Sequence, residues 1–143
     1  MGNYEFRQVN GSDSDIRQCT SLLKTVFPEA HKFTENFLKW EYTDNPAGGI
    51  IGFNAFDGSF LAAHYVAQPM IANVNGEIRK GLLSLNTATH PKHQGRKLFI
   101  SLAERTYEHA FEQGYSFVIG VANANSTQGF LKKLCFQHVG SLD

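Results

Sequence analysis

Residues 83–113 constrain the fold of this chain more than any other segment, because a strand pattern, a basic loop and a helix pattern follow one another directly. Residues 83–89 predict a strand, and residues 98–113 predict a helix. In the loop between them, Pro91 cannot donate to a sheet and biases His90 towards extended geometry. The strand is therefore predicted to end at the loop, which delivers the N-terminus of the helix.

The loop, residues 90–97, has the composition of an anion-binding site. The opening turn of a helix leaves backbone N–H groups unpaired and carries a partial positive charge, which favours a bound anion. The loop adds three cations and two further hydrogen-bond donors, which are Lys92, Arg96, Lys97, His93 and Gln94. Together these groups predict a diphosphate site, and the alternative is a solvated turn rich in lysine.

The same loop resembles the acyl-CoA-binding motif of the GNAT superfamily of N-acetyltransferases. That motif reads Arg or Gln, two residues, Gly, one residue, and Gly or Ala. Gln94 matches its first position, and Gly95 matches a glycine that often comes second. Lys97 replaces the glycine of the fourth position and Phe99 replaces the small residue of the sixth. Lys97 keeps its backbone N–H and adds a charge, so the resemblance still implies diphosphate binding.

A second resemblance to this superfamily lies downstream. Residues 115–121 predict a buried strand, and residues 123–136 predict a capped helix. They resemble the Asn-bearing loop of the superfamily and its helix that ends in Lys-Leu-Gly-Phe. Here Cys135 stands at the glycine, and Leu131 stands where a tyrosine often acts as general acid. The resemblance implies that the amide of Asn125 reaches the pantetheine arm of CoA.

The rest of the sequence predicts one strand, then two helices, and then the other strands of a sheet. The predicted elements are a strand over residues 4–9, a helix over 16–27, a helix beginning near Thr34, and strands over 50–56, 59–66, 70–74, 78–89 and 136–142. Asp57-Gly58 and Asn75-Gly76 predict tight hairpin turns. Trp40 is expected to be a packing residue rather than a binding platform. Phe33, Phe37, Tyr42 and Tyr65 are expected to pack in the core, and the alternative is that they line a partly aromatic cleft for the acceptor.

This order resembles the GNAT fold, an α/β (α+β) architecture. It implies a mixed, mostly antiparallel sheet with a splayed parallel pair of central strands, flanked by helices and lacking the last strand. Residues 1–143 are expected to form a single acyl-CoA-binding domain. Because the family's sheet closes with a further strand, either the chain is truncated at its C-terminus or a second copy in a homodimer covers the exposed edge.

Charge and hydropathy exclude several classes of function. Thirteen basic and thirteen acidic residues give a net charge of zero, so nothing global predicts binding to nucleic acid or to an anionic membrane. No apolar segment approaches the length of a spanning helix, and the N-terminus lacks a secretory signal, so a cytoplasmic protein is expected. Cys19 and Cys135 lack metal-site spacing and are expected to be buried thiols, with no metal bound.

The resemblance implies acetyl-CoA as co-substrate and assigns its contacts. The diphosphate is expected on the backbone amides of residues 94–99, which are Gln94, Gly95, Arg96, Lys97, Leu98 and Phe99. The pantetheine arm is expected to pair with the backbone of Ala88 and Thr89, and Asn125 is expected to reach it from the opposite wall. A small-molecule or peptide amine then attacks the thioester directly, without an acyl-enzyme.

The catalytic groups are less clearly indicated. No Glu or Asp lies in residues 82–89, where the family often places a base. The candidates are His64 as a base, Asn86 as an anchor for a water, and Ser126 as a hydrogen-bond partner of the leaving sulfur. For His64 the alternative is a core histidine satisfied by a neighbour.

Two other functions remain open from the sequence. Lys97, Leu131 and Cys135 depart from the family patterns, which favours a non-catalytic acyl-CoA-binding or interaction module as the alternative. A nucleotide-binding α/β domain would also account for the phosphate loop. It is disfavoured because the chain has neither a Gly-Lys-Ser/Thr loop nor a Rossmann glycine triplet.

Overall fold

The computed structural model describes residues 3–120 together with Phe136 and Gln137. Five strands form one sheet in which neighbours in sequence are neighbours in space: β1 (Glu5–Gln8), β2 (Ile51–Asp57), β3 (Phe60–Val74), β4 (Glu77–Thr89) and β5 (Phe117–Ile119). The first four strands are antiparallel, and β5 runs parallel to β4. The predicted mixed sheet with a parallel pair is therefore confirmed.

Within the described residues, three helices cover the sheet: α1 (Asp13–Val26), α2 (Glu35–Thr43) and α3 (Leu98–Glu112). The side chain of Ser12 accepts from the backbone N–H of Asp15, and that of Thr34 accepts from the backbone N–H of Phe37. These bonds satisfy N–H groups that a helix leaves unpaired, so α1 and α2 begin at the polar residues that favour capping.

The sheet has apolar cores on both of its faces. Alternate residues of a strand face opposite sides, so on β3 His64 and Val66 face α1 and α2 while Tyr65 and Ala67 face α3. The core beneath α1 and α2 contains Ile16, Leu22, Leu23, Phe33, Leu38 and Val66. The cores beneath α3 contain Ala55, Ala63, Tyr65, Leu82, Leu102 and Ala110. Cys19 is fully buried, as predicted.

The structure corrects one prediction about the sheet. Residues 59–66 and 70–74 were expected as two strands, but they form the single strand β3. Pro69 does not interrupt it, because β2 pairs with β3 only as far as Ala67. The carbonyl of Pro69 accepts from Nδ2 of Asn45 at 2.9 Å, and the nitrogen and carbonyl of a strand residue point to the same side. The missing N–H therefore faces away from β4.

The parallel pair separates where β4 is bulged. β4 pairs with β5 as far as Leu83 and Ile119, yet β4 continues to Thr89. Against β3, the pairing shifts so that β4 has one extra residue between Ser84 and Thr87. A bulge bends a strand and increases its twist. From Ser84 onward no described residue pairs with β4 on the β5 side.

Several predicted features lie outside the described residues. They include Asn125, Ser126, Leu131 and Cys135, and residues 138–142 of the predicted last strand. Among the described helices, none has the length and apolar character needed to span a bilayer.

Candidate active site

The loop that follows β4 turns the chain sharply into α3. The backbone N–H of His90 donates to the carbonyl of Ala62 at 2.8 Å, which anchors the end of β4 to β3. A single 3-10 turn, Pro91–His93, follows, and its N–H of Lys92 donates to Nδ1 of His90. Gly95 then has a φ of 80° and Lys97 a φ of 59°, after which α3 begins. The predicted strand, loop and helix are confirmed.

Lys97 adopts the conformation that explains the glycine of the family motif. It is the N-cap of α3 in the left-handed region, with φ 59° and ψ 26°. For a residue with a Cβ this conformation costs roughly 1–2 kcal/mol. The turn that a glycine favours is therefore kept here by a lysine. Within the described part of the chain, the N–H groups of Lys97 and Leu98 have no hydrogen-bond acceptor.

Lys97→Gly is expected to raise the free energy of unfolding by up to about 1 kcal/mol, because glycine adopts a positive φ without a Cβ clash. Lys97→Ala is the matched control, since it removes the same charge and keeps the Cβ; we expect a change within about 0.5 kcal/mol. Urea unfolding of the three proteins measures the difference. Equal stabilities of the Gly and Ala variants would show that Lys97 is not strained.

The basic side chains of the loop have different environments. Nη1 of Arg96 donates to the hydroxyl of Tyr4 at 2.7 Å, and that hydroxyl shares a hydrogen bond with Nδ1 of His93 at 2.8 Å. The His93 ring stacks on Phe60 at 5.4 Å. These contacts tie the loop to β1 and β3. The exposed ammonium of Lys97 has no ion pair within the described residues.

A chain of hydrogen bonds runs through the core beneath α1 and α2, joining both helices to three strands. Its members, in order, are Asp15, Asn54, His64, Tyr42, Asn86 and Glu41. At its first end, Oδ2 of Asp15 accepts from the backbone N–H groups of Asn10 and Gly11. Oδ1 of Asp15 accepts from Nδ2 of Asn54 at 3.0 Å. The chain therefore starts at a fixed carboxylate.

The direction of donation follows from that carboxylate. Nδ2 of Asn54 donates to Asp15, so its Oδ1 accepts from Nδ1 of His64 at 2.6 Å. Nε2 of His64 then accepts from the hydroxyl of Tyr42 at 2.7 Å. His64 is fully buried, and burial lowers its pKa to about 3. The ring is therefore neutral near pH 7, with its proton on Nδ1.

The other end of the chain reaches the separated part of β4. Nδ2 of Asn86 donates to the Tyr42 oxygen at 2.9 Å and to Oε1 of Glu41 at 3.2 Å. Burial raises the pKa of Glu41, and this effect exceeds the lowering by the Asn86 hydrogen bond and by the charge of Lys32. A half-buried carboxylate thus lies over β4 beyond the end of its pairing with β5.

Sequence reasoning missed Glu41. The family resemblance placed the expected base on β4. Glu41 is on α2 and meets Asn86 of β4 only in the folded chain. Its position beside the apolar face of the helix is not distinctive in the sequence. The structure does bring together two predicted residues, because Tyr42 bonds to both His64 and Asn86.

The remaining predicted site residues fall into two groups. Ala88 and Thr89 are the last residues of β4, in the segment without described pairing on the β5 side, and residues 94–99 form the turn into α3. Asn125 and Ser126 lie outside the described residues. Trp40 packs on Phe37 with 5.8 Å between the ring centroids, but 60% of it is exposed, so it is not a core residue.

Comparisons with known proteins agree with this architecture. The family model described as an acetyltransferase (GNAT) domain matches residues 5–138. Among curated proteins, no sequence is significantly similar to the chain.

Three solved structures show the same fold at low identity. A predicted acetyltransferase from Clostridium acetobutylicum, solved with acetyl-CoA, has a TM-score of 0.79 at 15% identity, covering 99% of this chain and 94% of that one. Glucosamine-6-phosphate N-acetyltransferase from Arabidopsis thaliana has a TM-score of 0.75 at 14% identity, with 99% of this chain and 96% of that chain covered. The aminoglycoside N-acetyltransferase AAC(6')-Iy with CoA has a TM-score of 0.73 at 14% identity, with 100% of this chain and 93% of that chain covered.

Proposed function

Because the chain belongs to the GNAT acetyltransferase family, we propose that it transfers an acetyl group from acetyl-CoA to a primary amine by direct attack in a ternary complex. One observation carries this proposal: the turn from β4 into α3 presents amides of the helix N-terminus beside the end of a strand whose parallel pairing, within the described residues, stops at Leu83. An anion and an extended arm can bind there together.

The diphosphate of acetyl-CoA binds the N-terminus of α3. Its ligands are the backbone amides of residues 94–99, where the helix dipole favours negative charge. The exposed ammonium of Lys97 adds a cation at the same end of α3. Arg96, held by the Tyr4 hydroxyl, places a second charge beside the turn. Support for acetyl-CoA also comes from the related structures that contain it or CoA.

The pantetheine arm extends along the side of β4 that has no pairing among the described residues beyond Leu83. It pairs with the backbone of Ala88 and Thr89 in the way that a further strand would. A backbone N–H of β4 near the bulge polarises the thioester carbonyl, an interaction commonly worth about 3 kcal/mol in the transition state. Asn125 contacts the arm from the other side, and Ser126 bonds to the leaving sulfur.

His64 acts through its neighbours rather than on the substrate. Its two ring nitrogens bond to Asn54 and Tyr42, and the ring has no exposed surface. Tyr42 in turn bonds to Asn86, which faces the site. We assign His64 as a positioning residue that fixes the hydroxyl of Tyr42, and Asn86 as the group that orients a reacting species or water.

Calorimetry with acetyl-CoA and a thiol-release assay with primary amines test the proposal. We expect saturable binding of acetyl-CoA and release of CoA that depends on the amine. Absence of binding at millimolar acetyl-CoA would overturn the proposal. Binding without amine-dependent release from a broad panel would instead favour a non-catalytic acyl-CoA-binding module.

Arg96→Glu is expected to weaken acetyl-CoA binding by about tenfold, because it reverses a charge beside the diphosphate. Arg96 is exposed, so we expect a loss of stability below about 1 kcal/mol. Calorimetry and thermal unfolding of the same samples give both quantities.

Arg79→Glu is the matched control for Arg96→Glu. Arg79 is an exposed residue of β4 at the far end of the strand, where its guanidinium bonds to Glu77. The affinity of this variant for acetyl-CoA should stay within twofold of the parent. Equal weakening by the two variants would show that only net charge matters.

A further inference from the structure

One flank of α2 lies beside the segment of β4 that has no described pairing on the β5 side, because Glu41 of that flank bonds to Asn86. The opposite flank faces α1, because Lys39 pairs with Asp13 at 2.7 Å and Glu35 lies 4.0 Å from Arg17. Leu38 is buried beneath the helix. The flank that remains carries three residues at positions i, i+3 and i+4, which are Phe37, Trp40 and Glu41.

The chemistry of this flank is a carboxylate beside aromatic rings. The rings of Phe37 and Trp40 lie 5.8 Å apart, and Trp40 is 60% exposed. Glu41 is half-buried and receives one hydrogen bond, from Asn86. Within the described part of the chain Glu41 forms no ion pair. A partly desolvated carboxylate that is not engaged in an ion pair is suited to bind a cation.

We propose that Glu41 binds the ammonium group of the acceptor and accepts its proton, with Phe37 and Trp40 contacting the carbon skeleton of the acceptor. This inference rests on the proposed function and adds the acceptor class, a primary alkylamine that arrives as a cation. Asn86 is the positioning residue, since its amide bonds to Glu41 and is itself fixed by Tyr42.

The proton balance of the transfer is complete with these groups. Glu41 takes one proton from the ammonium, which leaves a neutral amine with a free electron pair. The amine nitrogen forms a bond to the acetyl carbon, and the carbon–sulfur bond breaks with its electrons on the CoA sulfur. The second nitrogen proton passes to that thiolate, and Glu41 returns its proton to solvent. The products are the acetamide and the CoA thiol.

The surroundings of Glu41 define its titration. The groups that face it are Lys32 in the segment before α2, the Tyr42 hydroxyl and the Asn86 amide. Desolvation by burial raises the pKa of Glu41 and is the largest influence, whereas Lys32 and Asn86 lower it. The carboxylate is therefore a stronger base than an exposed one. Activity that depends on the ionised form falls as the pH drops below its pKa.

Glu41→Gln tests the inference, because it keeps an acceptor for Asn86 and removes the charge. We expect kcat/KM for the amine to fall by about 10²–10⁴-fold. The parent should show a plateau at neutral pH with an acidic limb. In the variant the rate should instead rise about tenfold per pH unit up to the pKa of the amine, because only the neutral amine then reacts. The affinity for acetyl-CoA should stay within twofold.

The assay uses kanamycin, glucosamine 6-phosphate and spermidine as acceptors. Glu35→Gln is the matched control, since Glu35 is an exposed carboxylate on the same helix that faces α1. It should leave kcat/KM and the pH profile unchanged. Asn86→Ala should move the acidic limb to higher pH, because it removes a hydrogen bond that lowers the pKa of Glu41. Trp40→Leu should raise KM for the amine about two- to fivefold with kcat unchanged.

The outcomes separate this inference from the proposed function. If the parent binds acetyl-CoA and acetylates a probe while Glu41→Gln has the same rate and the same pH profile, the role of Glu41 is wrong and the transferase assignment stands. If the parent binds acetyl-CoA but acetylates none of the three amines, the inferred acceptor class is contradicted. The transferase assignment is contradicted only if the broad panel of amines also gives no release of CoA. A loss of rate in Glu41→Gln without a change in the pH profile would reduce Glu41 to a binding role and overturn its role as proton acceptor.

Discussion

Gly52→Ala is expected to lower the free energy of unfolding by about 3 kcal/mol or more, the largest loss among single substitutions considered for this chain. A Cβ at this position would overlap the backbone carbonyl of Tyr65 and would lie 2.6 Å from Cγ1 of Val66. Both belong to the neighbouring strand β3, so the clash cannot be relieved by turning one side chain. Urea unfolding measures the loss.

The effect should extend beyond stability. Gly52 lies in the centre of the fold, where its carbonyl accepts from the backbone N–H of Val9 at 2.9 Å. A shift of β2 away from β3 would separate Oδ1 of Asn54 from Nδ1 of His64, which form a 2.6 Å hydrogen bond across these two strands. Gly49→Ala is the control, because its Cβ would meet the Tyr42 carbonyl at an ordinary 3.7 Å. We expect that variant to change stability by less than about 0.5 kcal/mol, and a comparable loss in both would contradict the steric account.

The second large effect is a loss of stability of about 2 kcal/mol between pH 7.5 and pH 5 that depends on His64. Burial lowers the pKa of the folded His64 to about 3 from an ordinary value of 6.5. Below pH 6.5 the unfolded chain therefore binds a proton that the folded protein does not. The stabilisation is complete above that pH and is lost progressively as the pH falls towards 3.

His64→Gln isolates this contribution from the carboxylates that titrate in the same range. Glutamine offers a donor and an acceptor to Asn54 and Tyr42 but does not titrate. The variant is expected to be less stable at pH 7.5, and the difference from the parent should shrink as the pH falls to 5. A difference that is constant with pH would show that the pKa of His64 is the same in the folded and unfolded protein, which would contradict its burial as a neutral ring.

Local sequence rules accounted for the turn that we propose as the diphosphate site. Pro91 ended β4, and Gly95 provided a positive φ in the turn into α3. Asp57 and Gly58 closed the β2–β3 hairpin, and Asn75 and Gly76 closed the next one. Such signals act over two to six residues, because they depend on backbone geometry and on nearby hydrogen bonds. The sequence therefore located the loop correctly.

Signals that depend on distant partners were misjudged. Pro69 is a strand breaker by local rules, and it is tolerated because β2 has already ended beside it. Trp40 is a packing residue by composition, yet 60% of it is exposed, on the side of α2 away from α1. In both cases the deciding fact is the presence or absence of another element at that position, which no short stretch of sequence encodes.

The sequence by itself determined the order of the elements, the turn from β4 into α3 and the family resemblance. Only the tertiary structure decided which polar side chains act together. Glu41 and Asn86 are 45 positions apart in the sequence, yet Nδ2 of Asn86 lies 3.2 Å from Oε1 of Glu41. The neutral ring of His64 connects this pair, through Tyr42 and Asn54, to Asp15. The reason is physical: the pKa of a carboxylate or an imidazole is set by its desolvation and by its hydrogen-bond partners, and both arise only when α2 packs against the sheet.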